Sequence, residues 1–166
     1  MRKLFLVAIL CISLGLVACS SPEADELVEY HNSYVETVNP KANQMDAELE
    51  KLSMIADPEE AFEFQNENII PIAEEIIEYI ESNEPETDVV KELHDLRLEQ
   101  MNGWIEGFEL RNGAMEKAAE MADEQEINEL VQQSDEKFME TAEKAQIADE
   151  RLVEMAEEHN VELEEE

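Results

Sequence analysis

An all-α fold, an antiparallel up-down-up-down four-helix bundle with long helices, follows from three features of the sequence. Apolar residues recur at three-and-four spacing almost throughout, which collects them on one face of a helix with 3.6 residues per turn. No stretch alternates apolar and polar residues as a half-buried strand does. Five prolines and four glycines in 166 residues leave long segments free of helix breakers.

The first helix is expected to start with Ser21 as cap and Pro22 in the first turn, where the missing N–H costs nothing. Its seam runs through Leu27, His31, Tyr34, Val38, Ala42, Met45, Leu49, Leu52 and Ala56, a heptad-like, coiled-coil pattern. Asp57-Pro58-Glu59-Glu60 supplies a cap, a first-turn proline and a capping-box glutamate, so a second helix begins there, with Phe62, Ile69, Ala73, Ile76 and Ile80 inward. The segment Asn83 to Thr87 reads as a turn, followed by a third helix marked by Val90, His94, Met101, Phe108, Met115 and Ala122. A second capping box, Asp123 to Glu126, opens a fourth helix whose seam is Ile127, Val131, Ser134, Phe138, Ala145, Ala148, Leu152 and Met155. The tail from Asn160 to Glu166 is expected to be too acidic to pack. Four helices joined by short turns most simply form an antiparallel bundle. Counting along the helices puts Leu52, Phe62, Phe108 and Phe138 in one layer, an expected aromatic core.

The N-terminus carries a different signal. Met1-Arg2-Lys3 precedes an apolar run from Leu4 to Ile12 that resumes at Leu14 and reaches Ala18, the pattern of a signal-peptide n-region and h-region. At about fifteen residues it is short of the roughly 20 needed to span a bilayer. Leu16-Val17-Ala18-Cys19 resembles the lipobox of bacterial lipoproteins. That resemblance implies cleavage before Cys19, a diacylglycerol thioether with an N-acyl chain such as palmitate on Cys19, and attachment at the extracytoplasmic face of the cell membrane. The expected organisation is a signal peptide over 1–18, a lipidated tether over 19–21, a helical bundle over 22–159 and an acidic tail over 160–166. Over residues 22 to 159 the chain also resembles, in architecture and composition, the small helical cell-wall-binding lipoproteins of Gram-positive bacteria. That likeness implies wall association and transfers no binding residues.

Cleavage would remove Cys11 with the signal, so Cys19 would be the only mature cysteine and no intrachain disulfide or thiolate metal cage could form. It would also remove Arg2 and Lys3, leaving nine basic residues against 44 acidic ones, a net charge of −35. Such a body repels nucleic acid and anionic lipid surfaces. The acidity reads as adaptation to a saline or alkaline exterior, with a dedicated basic partner as the alternative. Oligomeric state is not legible.

Candidate chemistry is sparse. No nucleophile elbow, zinc-protease motif, phosphate-binding loop or EF-hand occurs, so the chain is read as non-enzymatic, with no cofactor beyond the lipid on Cys19. His31 and His159 lie on seam lines at one end, yet none of the three histidines has the Glu-x-x-His partner of a helical di-iron site; no metal site is assigned. His94, Arg97, Trp104 and Arg111 share a broad face of the third helix. They read as an ion-pair cluster with carboxylates such as Glu74 or Glu75, or as a pocket for an anionic ligand. Pro40 and Pro71 fall mid-helix at similar heights and either bow the bundle open or let two helices wrap one core. Gly103 and Gly107, four apart, permit close approach by a neighbour, and Gly113 beside Asn112 allows a break. The functional expectation is a membrane-anchored, extracytoplasmic lipoprotein acting through protein or cell-envelope contacts, with a ligand- or metal-binding module as the alternative.

Overall fold

The computed structural model describes residues 21–163; residues 1–20, on which the expected signal peptide and the lipobox-like Leu16 to Cys19 fall, and Glu164 to Glu166 lie outside the described residues. The helices are α1 (Pro22–Leu52), α2 (Pro58–Phe64), a π-helical turn (Gln65–Ile69), α3 (Ile70–Ser82), α4 (Asp88–Ala119) and α5 (Glu124–His159). Because α2, the π turn and α3 follow one another without interruption, the chain makes four helical arms, an all-α bundle.

Side-chain chemistry starts each arm where the sequence predicts. Ser21, Asp57 and Asp123 cap α1, α2 and α5 by accepting backbone N–H groups of the first turn, and Pro22 and Pro58 fill first-turn positions. Thr87 caps α4. The turn before α4 is held from across the bundle: the Glu26 carboxylate accepts the N–H groups of Glu86 and Thr87 at 2.5 and 2.9 Å and also the Thr87 hydroxyl. Burial alone would raise the Glu26 pKa, but these three hydrogen bonds together hold it below the usual glutamate value. Two arms stop earlier than expected. α1 ends at Leu52, not Ala56, with Ser53 as its cap, and α4 ends at Ala119, with Met121 in the left-handed region at φ 54°.

The π turn changes which residues face inward. Pro71 has no N–H to offer the carbonyl four residues back, and its ring would crowd that carbonyl in a regular helix. The widened turn takes up the conflict just before it, with Ile70 N–H bonded to the Gln65 carbonyl. It also takes up phase. Ala61, Gln65, Ile69 and Ala73 are all buried at four-residue steps, whereas three such steps would carry a regular helix round by about 120°. The expected aromatic layer is corrected accordingly. Phe62 is only partly buried and stands outside the core cluster, its place inside taken by Ala61 and Gln65, while Phe64 packs against the cluster. Trp104 replaces it, with its ring 5.1 Å from Phe138 and 5.7 Å from Phe108.

Contacts define how the arms run. Glu92, Glu99 and Glu106, seven apart on α4, pair with Arg151, Lys144 and Lys137 on α5 at 3.0, 3.1 and 2.9 Å. Partner numbers fall on α5 as they rise on α4, so these two helices are antiparallel. The glycines let them approach closely: Ser134 donates to the Gly107 carbonyl at 2.9 Å, and a Cβ at Gly103 or Gly107 would come within 2.4 Å of Thr141 Oγ1 or 2.5 Å of the Phe138 ring. α4 runs straight past Gly113, so the break allowed there does not occur. α1 is also joined to the π turn and α3, by the Lys41–Glu75 pair and by Tyr34, Val38, Met45, Ile69, Ile72 and Ile76 in one core.

The core has two parts. One surrounds Ile69, Ile76, Met101 and Phe108; the other, near Leu27, Val90, Leu93, Leu152 and Met155, closes the end where α1 begins and α5 finishes. The tail joins this second part, contrary to expectation. Asn160 adopts the left-handed conformation at φ 53°, Val161 N–H bonds the Ala156 carbonyl, and Leu163 packs against the cluster. Val161 and Leu163 suffice there because the left-handed cap turns the chain back over an apolar surface. Elsewhere α5 is less covered than its seam suggests: Val131 is 37% exposed, in a surface depression lined also by Pro58 and by Arg111, Ala114, Met115 and Ala118 of α4.

Candidate functional site

The four residues of the third-helix face are placed in different environments. His94 is buried, with Nδ1 3.4 Å from the Tyr30 hydroxyl. Burial, against the opposing pull of Asp95 and Glu84, pushes the His94 pKa below the usual histidine value, and burial likewise pushes the Tyr30 phenol up. Trp104 belongs to the aromatic cluster with Phe108 and Phe138. Arg111 leaves the interior and pairs with Asp135 at 2.6 Å, its guanidinium carbon 5.1 Å from the centre of the Phe138 ring. The intrabundle network expected with Glu74 and Glu75 is not formed: Glu74 and Glu75 are exposed, and Glu75 is taken by Lys41.

Arg97 differs from every other cation of the described residues. It is 6% exposed, and its guanidinium carbon lies 3.5 Å from the centre of the Tyr34 ring, a cation–π stack. Among the described residues its Nε is buried without a hydrogen-bond acceptor. Lys41, Lys51, Lys91, Arg111, Lys117, Lys137, Lys144 and Arg151 all form ion pairs, whereas no carboxylate of the described residues pairs with Arg97.

Arg97 lines a groove of about 540 Å³ between α1, α4 and α5. One wall is Tyr34, Val38 and Met45 of α1; Met101 and Trp104 of α4 form the floor; Ala145, Ala148 and Leu152 of α5 form the far wall. His31 and Leu163 complete the lining, with the exposed Asp46 and Asp149 at its rim. The prolines therefore do not part α1 from α3, which share a core; the open seam is on the other side of α1, facing α5. α1 runs helical through Pro40, which is exposed.

The histidines weighed for metal binding are not combined. His31 is buried in the groove wall, whereas His159 is in the last turn of α5, near enough to Glu23 to lower that carboxyl further, after Glu23's own hydrogen bonds to backbone and Ser21. Glu23 and His31 are about 12 Å apart along α1. Among the described residues no three His, Cys, Asp or Glu side chains form a metal-holding group.

Sequence reasoning found Arg97, Trp104 and the α1 seam but not their union. Tyr34 was legible as a seam residue, and nothing in its spacing marks it as the platform for a cation. A second polar element, Gln65, had no signal at all: its amide donates to the Phe108 carbonyl at 3.2 Å and to Asn112 Oδ1 at 2.6 Å, and Asn112 donates to Asn66 at 2.8 Å. In comparisons with known proteins, the chain matches no protein-family model, no curated protein and no solved structure.

Proposed function

We propose that this chain is a membrane-anchored extracytoplasmic lipoprotein of a bacterial envelope, non-enzymatic, acting through contacts with an envelope protein or a cell-wall component. The observation that carries this reading is Leu16-Val17-Ala18-Cys19 at the end of a short apolar run behind Arg2 and Lys3. The fold is compatible with such a tether, because Ser21 already caps α1 two residues after Cys19, which would hold the bundle close to the bilayer. No helix of the described residues is long and apolar enough to cross a membrane, so attachment in this reading is through lipid: two acyl chains on Cys19 anchor stably where one is marginal. The acidic surface favours partners with basic groups and opposes nucleic acid.

Intact mass of the protein purified from membranes of its native host tests this. The expected species starts at Cys19 and carries the added mass of diacylglycerol, and a Cys19→Ala control loses both. An unmodified chain in the culture fluid would contradict the reading.

A further inference from the structure

We infer that the groove between α1, α4 and α5 binds an amphipathic monocarboxylate, such as a fatty acid, with Arg97 taking the carboxylate and the apolar walls taking the chain. The inference rests on the groove and not on the lipid at Cys19.

The charge pattern is the first support. The chain has 44 acidic residues, and eight of the nine Lys and Arg side chains among the described residues are ion-paired. The exception, Arg97, is the most buried of the nine, where a charge without a carboxylate among the described residues costs most. Scarcity of carboxylates does not explain this; the position of Arg97 on an apolar groove does. Stacking on Tyr34 occupies a face of the guanidinium and leaves its in-plane N–H groups for an acceptor, and a guanidinium edge presents two parallel donors that match a carboxylate. Nε is one such donor, without an acceptor among the described residues.

The walls select the rest of the ligand. Val38, Met45, Met101, Ala148 and Leu152 offer hydrocarbon, and about 540 Å³ lies within the range of small-molecule sites. Asp46 and Asp149 at the rim, on a body of net charge −33, oppose a dianion about twice as strongly as a monoanion. A phosphate monoester is therefore disfavoured, and a single carboxylate whose apolar chain is drawn from water fits the site.

The chain's single tryptophan, Trp104, lines the groove and reports occupancy. The full chain, kept in a constant concentration of non-ionic detergent, is titrated with bromine-labelled dodecanoate while Trp104 fluorescence is followed. Saturable quenching is expected, with affinity reduced about tenfold or more by Arg97→Gln, because a charge-assisted contact is lost. Bromine-labelled dodecanol should bind the wild type as weakly as the acid binds R97Q. Ala145→Phe, which fills the groove from a half-buried wall and leaves Arg97 intact, should abolish saturable quenching while the helical circular dichroism is retained. Equal quenching of wild type and both variants, equal quenching by acid and alcohol, or no saturation would overturn the assignment.

Discussion

Burial sets the proton affinity of His94. Its folded pKa lies below the ordinary 6.5 because the charged ring loses water, and the nearby Asp95 and Glu84 do not fully compensate. An unfolded chain therefore takes up the proton first as pH falls. The stability that His94 contributes is complete above about pH 6.5 and declines below it, down to the folded pKa. Unfolding midpoints in urea measured from about pH 7.5 to 5.5 should fall more for the wild type than for His94→Gln. Identical slopes would show that His94 is not buried as described. Arg97 shows the limit of residue-level reading: its type and face were legible, but its lack of a carboxylate among the described residues depends on which acids the other helices bring within reach. Of the nine cations among the described residues, eight were reached and one was not.

At the scale of the elements, α4 and α5 are paired by two devices. The ladder Glu92–Arg151, Glu99–Lys144 and Glu106–Lys137 repeats every seven residues on the exposed surface, where ion pairs add little stability but penalise a shifted register. Gly103 and Gly107 let the two helices touch, and there the same substitution has opposite results along one helix. At Gly107 an added methyl meets the Phe138 ring at 2.5 Å, in a cluster held by Trp104 and Phe108, so Gly107→Ala should destabilise by about 1–2 kcal/mol after the gain in helix propensity. At Gly113 the nearest atom is Leu130 Cδ1 at 3.7 Å, an ordinary contact, and Gly113→Ala should stabilise by about 0.5–1 kcal/mol. Urea unfolding of the two variants checks both signs. Caps at Ser21, Asp57 and Asp123 and the glycine pair were legible because they depend on neighbours in sequence. The π turn was not: Pro71 announces a conflict, but whether a kink, a break or a widened turn resolves it is decided by packing, and that choice moved Phe62 out of the core and Gln65 in.

For the whole molecule, the fold class follows from periodicity alone, whereas the open α1–α5 seam does not. Every arm carries an apolar stripe, but a stripe does not say which neighbour will close over it. The tail illustrates the same point, since Leu163 finds the core part around Leu27, Val90 and Met155 despite its acidic surroundings. Net charge is the dominant long-range term. Acidic pairs four apart, such as Glu74 and Glu78 or Glu154 and Glu158, are all exposed. Salt should screen this repulsion, with a Debye length of about 8 Å at 0.15 M and about 3 Å at 1 M, more than it weakens eight cations' surface pairs. The melting temperature should therefore rise from low to molar NaCl; a flat profile would contradict a fold limited by self-repulsion.

The central claim is that Arg97 is kept for a ligand and not for the fold. An arginine buried for stability would be missed on removal, whereas one held without a carboxylate should be replaced by an apolar side chain of similar length at no loss. Its stack on Tyr34 returns up to about 2 kcal/mol, less than the several kcal/mol by which an uncompensated buried charge is penalised. The most direct measurement is the unfolding free energy of Arg97→Met beside the wild type, without added ligand. The account predicts a variant more stable by about 1 kcal/mol or more; a variant destabilised by a similar amount would show that Arg97 serves the fold.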